Sequence, residues 1–219
     1  ADFTSPLYKT FPDFLDGISK LYGSKPALSW FTRRQEEKTL TYHELTQKVS
    51  ALRKILLQKD FPKESHIAII SENSAEWIIA FLAIVSCGHI AVCVDTEQSD
   101  DSILDMVRRS DARMVFLSPT FLPICLPLLD EPQLLSMVLM NGLSSDERVE
   151  TMDDLLAKGA VLPEATSSIQ VSPEQTAEIV FTSGTTSQSK MVMLTQKGVL
   201  QNIYDSSLLI YFFERTFCS

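Results

Sequence analysis

Hydroxyl side chains and one lysine are concentrated in residues 181–195, FTSGTTSQSKMVMLT. Such hydroxyls can donate hydrogen bonds to phosphate oxygens, and consecutive backbone N–H groups can form an anion-binding nest. Gly184 would let the backbone approach an anion closely, and Lys190 adds a mobile positive charge. The candidate phosphate contacts are Thr182, Ser183, Gly184, Thr185, Thr186, Ser187 and Lys190. We predict a loop that holds nucleotide phosphates, with other groups neutralising the remaining charge.

Two other interpretations of this stretch stay open on residue types alone. A solvent-exposed Ser/Thr linker would have the same composition, because such clusters are usually loops. The spacing of Gly184 and Lys190 also fits the P-loop, G-x-x-x-x-G-K-[ST]. However, Ser189 and Met191 replace the second glycine and the magnesium-contacting hydroxyl of that motif. The following MVML also predicts a strand where the motif requires a helix, so a P-loop NTPase is disfavoured.

Alternating strands and helices are predicted upstream of this loop. HIAII (66–70), IAVCVD (90–95) and RMVFL (113–117) are short apolar runs typical of buried strands. Between them, Ser74 and Ser99 are suited to cap helices, because a serine hydroxyl accepts from an unpaired backbone N–H. Continuous apolar strands separated by helices predict an α/β fold, a mostly parallel sheet flanked by helices on both faces.

Capping residues predict the remaining helices. The predicted N-terminal caps are Thr10, Thr41 (in a capping box with Glu44) and Thr151, and the predicted helix-ending glycines are Gly23 and Gly159. Residues 26–31, 136–140 and 177–181 are predicted strands, and the last leads directly into the hydroxyl-rich stretch. Residues 160–175 are polar and predict a connecting loop.

Composition limits the kinds of protein this chain could be. Its 219 residues are 45% apolar, so a packed core is expected, and the formal net charge is −9. An acidic chain without clustered Lys and Arg is not expected to bind nucleic acid. His43, His66 and His89 have no clustered ligands around them, so no metal site is predicted.

Cysteine usage and hydropathy bear on the compartment. Cys87, Cys93, Cys125 and Cys218 form no CxxC pair. We interpret them as free thiols, largely in the core, in a reducing compartment, the cytoplasm. The first ten residues lack the basic and apolar regions of a signal peptide. Residues 77–94 carry no charge and approach the length of a membrane span, but a glycine–histidine break favours a buried helix followed by a strand.

The segment TSGTTSQSK (182–190) resembles the phosphate-binding signature of the adenylate-forming superfamily, [ST]-S-G-[ST]-T-G-x-P-K-G. That superfamily contains acyl-CoA synthetases, aryl-CoA ligases, luciferases and the adenylation domains of peptide synthetases. TLTYHEL, SENSAEWIIAFLAIVSCGHIAVCVD and MLTQ resemble further segments of the family, in the same order. The resemblance covers residues 10–206. Within it, the segments ENSAEW and VFTSGTTS most resemble long-chain acyl-CoA or acyl-carrier-protein synthetases.

The resemblance implies a fold, a reaction and partners. Residues 1–206 would be the N-terminal α/β portion of an AMP-binding domain ending just after the phosphate loop, and 207–219 a tail unlike the family. The loop would hold the β- and γ-phosphates of ATP while a carboxylate, expected to be a fatty acid, attacks the α-phosphorus. Lys190 would steady the leaving pyrophosphate, and Mg²⁺ would supply further charge. The acyl adenylate would pass to CoA or an acyl carrier protein; peripheral membrane contact stays open.

Several departures from the family pattern weaken this expectation. Ser187, Ser189 and Met191 stand where the family has Gly, Pro and Gly. A serine held at positive φ costs about 1 kcal/mol relative to glycine, so phosphate binding should be weaker. The family's adenine-binding, magnesium-contacting and ribose-binding residues and its C-terminal catalytic lysine are not recognised here, so the catalytic residues are unassigned. The chain is expected to be an incomplete, inactive N-terminal portion of an acid–thiol ligase; the alternative is a degenerate scaffold that binds a partner without nucleotide chemistry.

Overall fold

The computed structural model describes residues 8–32, 34–163, 169–182 and 189–217, with side chains described as far as residue 206. Its strands are β1 (Pro26–Phe31), β2 (Glu37–Thr41), β3 (His66–Ile70), β4 (Ile90–Cys93), β5 (Met114–Leu117), β6 (Ser136–Leu139), β7 (Val149–Thr151), β8 (Thr176–Thr182) and β9 (Lys190–Thr195). Its helices are α1 (Phe11–Tyr22), α2 (Tyr42–Gln58), α3 (Ala75–Ser86), α4 (Asp100–Arg109), α5 (Leu122–Cys125), α6 (Met152–Val161) and α7 (Gln196–Phe217).

One large sheet organises the described part of the chain. Its strand order is β7-β6-β5-β3-β4-β8-β9, and the neighbours are parallel except for β9, which is antiparallel to β8. β1 and β2 form a separate antiparallel pair. The order places β3, the first strand of the alternating region, at the centre of the sheet. The predicted fold class is confirmed.

Helices cover both faces of the sheet. Successive residues of β3 alternate between the faces, so Ile67 and Ile69 join one apolar cluster while Ala68 and Ile70 join the other. The first cluster includes buried residues of α1, α2, α3, α6 and α7, and the second those of α4 and α5. Because both faces are buried at the centre of the sheet, β4 and β5 are apolar at every position instead of alternating with polar residues.

Side-chain caps begin the helices as the sequence predicts. Thr10, Ser74, Ser99 and Thr151 each accept a hydrogen bond from a backbone N–H three residues further on. Thr41 forms the predicted capping box, with its N–H donating to the Glu44 carboxylate over 2.8 Å and its hydroxyl oxygen accepting from the Glu44 N–H over 3.2 Å. These bonds satisfy N–H groups that have no partner within the helix.

Gly159 does not end α6, contrary to the prediction. The helix continues to Val161, so the connection to β8 also begins later than residue 160. A Cβ at Gly159 would lie 2.1 Å from the carbonyl oxygen of Ala51 in α2. The glycine is therefore present because two helix backbones approach each other closely, and not because a helix stops.

β4 is shorter than predicted, and α7 spans the predicted boundary at residue 206. β4 ends at Cys93, and Asp95 instead forms a turn in which its carboxylate accepts from the N–H of Glu97 and the side chain of Gln98. α7 runs from Gln196 to Phe217 and so crosses residue 206, where the sequence predicts a boundary.

The apolar stretch 77–94 is divided as the sequence predicts. α3 ends at Ser86, and Gly88 follows at φ +76°, a conformation that glycine adopts without steric cost. β4 then begins at Ile90. In the part of the chain that the structure describes, no helix is both long enough and apolar enough to cross a membrane.

Candidate phosphate-binding site

The candidate loop joins the two strands of a hairpin. β8 and β9 pair antiparallel, and Thr182 and Lys190 are the last partners before the loop. Both residues are exposed. The other candidates, Ser183, Gly184, Thr185, Thr186 and Ser187, lie outside the described residues. The strand that follows Lys190 is the one predicted from MVML, and it is not the helix that a P-loop requires.

The hairpin ends at the carboxyl edge of the parallel sheet. Val180 of β8 pairs with Cys93, the last residue of β4, and Ile70 ends β3 at the same edge. Ligands in open α/β sheets bind outside the carboxyl ends of the strands. The sheet therefore presents the predicted loop at the edge where ligand sites form in this class of fold.

Acidic side chains also lie at this edge. Glu72 follows β3 and Asp95 follows β4. A bond from its own backbone N–H lowers the pKa of Glu72, and bonds from Gln98 and from the Glu97 N–H lower that of Asp95. Both carboxylates are therefore ionised at neutral pH, so a polyphosphate here needs cations to offset them.

Arg109 is a second cation at the hairpin, which the sequence analysis did not identify. It ends α4, and its Nη2 donates to the carbonyl oxygen of Ser189 over 2.8 Å. The guanidinium also lies 5.9 Å from the centre of the Phe181 ring. From the sequence alone, Arg109 is only one of two arginines in the last turn of a helix, where their charge complements the helix dipole. No spacing rule could connect it to a loop that is 80 residues away.

Glu178 of β8 and Cys93 of β4 form a polar pair within the sheet. Glu178 pairs with Ala91 of β4, so Cys93 is its diagonal neighbour on the same face. Burial and the nearby carboxylate of Glu178 raise the pKa of the Cys93 thiol well above its usual value. A thiol that keeps its proton is a poor nucleophile, which agrees with the interpretation of Cys93 as a packing residue.

Replacing Glu178 with glutamine should stabilise the protein at neutral pH. Burial raises the pKa of Glu178 above 4.5, and a hydrogen bond with Cys93 only partly opposes this. The unfolded chain therefore loses this proton first as the pH rises, so ionisation of Glu178 favours unfolding. Urea titrations measure the free energy of unfolding. We expect it to be equal for Glu178→Gln and the parent below about pH 4, and larger for Glu178→Gln near pH 7.

Glu174→Gln is the matched control for that measurement. Its carboxylate accepts from Lys197 over 3.0 Å, and this bond lowers the pKa of Glu174. Glu174→Gln should therefore not increase the free energy of unfolding at neutral pH, because the ionised form of Glu174 favours the folded state. Equal gains from both substitutions would contradict the assigned environment of Glu178.

The beginning of α7 fixes the far end of β9 in the core. Gln196 is fully buried. Its Oε1 accepts from the N–H of Phe11, and its Nε2 donates to the carbonyl oxygen of Val85, each over 2.9 Å. One side chain thus joins the hairpin to the start of α1 and the end of α3.

Solved structures with this fold include enzymes that handle acyl adenylates. A crystal structure of the anthranilate–CoA ligase AuaEII in complex with anthranoyl-AMP superposes with a TM-score of 0.72 at 24% identity, covering 88% of this chain and 36% of the other. Fatty acyl-adenylate ligases from E. coli and L. pneumophila give 0.69 at 24% identity, covering 93% and 34%. At these identities the likeness establishes the fold.

The family follows from the sequence match. The family model described as AMP-binding enzyme matches residues 18–217, and the chain therefore belongs to the AMP-binding enzyme family. The crotonobetaine/carnitine–CoA ligase of Proteus mirabilis is 25% identical over 197 residues, which are 88% of this chain. The chain spans 38% of the length of that ligase. The family resemblance identified in the sequence is confirmed.

Proposed function

We propose that this chain supplies the polyphosphate-binding part of an enzyme that activates a carboxylic acid with ATP. The observation that supports this proposal most directly is the position of residues 182–190. They join two strands at the carboxyl edge of the sheet, in a chain that belongs to this family. Their hydroxyls, glycine and lysine are suited to holding phosphate oxygens. A Ser/Thr linker without a ligand would need neither the family match nor this location.

The proposed roles assign the loop to the β- and γ-phosphates of ATP, which leave together as pyrophosphate. The proposed ATP contacts are Thr182, Ser183, Gly184, Thr185, Thr186, Ser187 and Lys190. A carboxylate oxygen attacks the α-phosphorus, the bond to the β-phosphate breaks, and pyrophosphate leaves with the acyl adenylate formed. Lys190 offsets charge on that leaving group. Adenylyl transfer of this kind depends on positioning and charge stabilisation more than on covalent help from the protein.

No residue of this chain is assigned to the proposed Mg²⁺. Within the described ranges there is no group of three or more His, Cys, Asp or Glu side chains that could hold a metal ion. We propose that Mg²⁺ enters with the phosphates of ATP and supplies further positive charge there.

The proposed acid is a fatty acid, and the proposed acceptor is the thiol of CoA or of an acyl carrier protein. The segments ENSAEW and VFTSGTTS support this proposal, as do similar proteins described as a CoA ligase and as fatty acyl-adenylate ligases. The test is ATP–pyrophosphate exchange by this chain and by the full reading frame that encodes it, with a long-chain fatty acid, an aryl acid and a small polar acid. Exchange that depends on the fatty acid supports the proposal, whereas exchange with another acid alone would reassign the substrate.

Lys190→Ala should weaken binding of Mg·ATP by about tenfold to a hundredfold, because a charge-assisted contact to phosphate is lost. Isothermal titration calorimetry measures the dissociation constant. Lys197→Ala is the matched control, since Lys197 pairs with Glu174 near the other end of the same hairpin. Equal affinities of the Lys190 and Lys197 variants for Mg·ATP would count against the phosphate loop.

A scaffold that binds a protein partner without nucleotide is the second candidate. The observation that favours a partner-binding scaffold is the exposure of three apolar side chains on the outer strand β9, Met191, Val192 and Met193. An exposed apolar edge strand can pair with another chain. The scaffold predicts no saturable heat with Mg·ATP at millimolar concentration, whereas the nucleotide proposal predicts a binding isotherm.

Free thiols support a further proposal, that the protein works in the cytoplasm. Cys87 and Cys125 are buried and unpaired with other cysteines, as is usual in reducing compartments. Burial raises the pKa of Cys87 to about 11 and that of Cys125 to about 12. Both thiols are therefore protonated and unreactive at neutral pH. Cell fractionation with an antibody against the chain tests the compartment.

A further inference from the structure

We propose that Arg109 is a positioning residue that fixes the C-terminal end of the phosphate loop and, through it, the direction of Lys190. This inference rests on the proposed function for its role in nucleotide binding. The contact itself is visible among the described residues and can be tested without nucleotide.

Three contacts fix the guanidinium of Arg109 beside the hairpin. Nη2 donates to the Ser189 carbonyl over 2.8 Å, Nη1 lies 3.4 Å from the Asp105 carboxylate, and the group lies over the ring of Phe181. The side chain is only 29% exposed. A planar group with several donors can make all three contacts at once, which the ammonium of lysine does less well.

The bond to Ser189 constrains Lys190 directly. The Ser189 carbonyl belongs to the peptide plane that joins the two residues, and a peptide plane moves as a unit. Phe181 belongs to β8 and faces Met191 of β9 in the register of the hairpin. Arg109 thus contacts one strand through an aromatic ring and the start of the other through a carbonyl. It stabilises the hairpin next to the point where the loop begins and ends.

Charge provides a second reason for an arginine at this place. The predicted loop has one lysine, whereas Glu72 and Asp95 carry ionised carboxylates at the same edge of the sheet. Arg109 brings a permanent positive charge to the loop from a different element of the fold. A neutral hydrogen-bond donor could hold the carbonyl of Ser189, but it would not favour an anion nearby.

The adjacent arginine supplies a matched control. Arg108 occupies the same last turn of α4, but its Nε donates to the Glu131 carboxylate over 2.7 Å. Arg108→Ala therefore removes an equal charge from the same turn without touching the hairpin. Arg109→Lys keeps the charge and one donor, and Arg109→Gln keeps a donor without the charge.

Hydrogen exchange of the nucleotide-free protein tests the anchoring. We expect Arg109→Ala to speed exchange of the amides of β9 nearest the loop by about tenfold, because a charged hydrogen bond and a ring contact are lost. Arg109→Lys and Arg109→Gln should restore part of the protection, and Arg108→Ala should leave these amides unchanged. Equal exchange in the two alanine variants would overturn the proposed anchoring.

Nucleotide affinity tests the effect on Lys190. Arg109→Ala should raise the dissociation constant of Mg·ATP about tenfold, and Arg109→Gln and Arg109→Lys about threefold each, because one keeps a donor and the other keeps the charge. In the Lys190→Ala background, Arg109→Ala should raise this constant only about threefold, because positioning needs Lys190 whereas the charge acts without it. Full additivity would overturn positioning through Lys190. If the parent does not bind Mg·ATP at all, the proposed function fails, while hydrogen exchange still decides the anchoring.

Discussion

Replacing Gln196 with methionine is expected to destabilise the fold by about 2 kcal/mol, because the buried Phe11 N–H loses its partner, whereas the Val85 carbonyl keeps the bond from the Gly88 N–H. The Phe11 N–H and the Val85 carbonyl each bond to this side chain over 2.9 Å, and Gln196 is fully buried. Methionine has a similar shape, so the cost comes from the lost hydrogen bonds and not from a cavity. Urea unfolding followed by circular dichroism gives the difference.

Gln201→Met is the matched control for this substitution. Gln201 lies on the same helix, and its amide bonds to Asp205 on the surface of the protein. A change of less than about 0.5 kcal/mol is expected there, as for most surface substitutions. A similarly small change for Gln196→Met would show that this side chain does not join α7 to α1 and α3.

Gly159→Ala is expected to cost about 3 kcal/mol, the upper end for overpacking, although alanine favours helices over glycine. The added Cβ would lie 2.1 Å from the Ala51 carbonyl oxygen and 2.6 Å from its carbon. Both are backbone atoms of α2, so no side chain can rotate away and the helices must separate. Thermal unfolding should show a lower midpoint for the variant.

The same substitution at Gly198 is the control for the Gly159 variant. There the nearest atom to an added Cβ is the hydroxyl oxygen of Thr195 at 3.1 Å, which belongs to a side chain that can rotate. We expect Gly198→Ala to change stability by less than about 1 kcal/mol. A destabilisation at Gly159 no larger than that at Gly198 would contradict the close contact between α2 and α6.

Local signals in the sequence were sufficient for much of the sheet. HIAII forms β3 with the predicted bounds, because its four successive apolar residues after His66 favour a strand that is buried on both faces. The caps at Thr10, Ser74 and Thr151 were predictable because each bond spans only three residues. β2 carries exposed polar residues, and β7 has only three residues, two of them polar and half-buried, so no apolar pattern indicates either strand.

Contacts between distant segments were beyond local reasoning. Gly159 follows a helical run, as a helix-ending glycine would, and only its contact with Ala51 reveals its role. The contact between Arg109 and Ser189 joins residues 80 positions apart. In the candidate site, the strands flanking the loop were predictable from their apolar residues, and the structure pairs Thr182 with Lys190 at the end of the hairpin. The phosphate contacts themselves stay a prediction.

Comparing magnesium pyrophosphate with AMP as competitors for bound Mg·ATP tests the central claim most directly. If the loop holds the β- and γ-phosphates, pyrophosphate should displace ATP, and AMP should bind at least about tenfold more weakly than ATP. Lys190→Ala should weaken ATP and pyrophosphate together and leave AMP unchanged. AMP binding as tightly as ATP, with no displacement by pyrophosphate, would contradict a phosphate-holding loop between β8 and β9.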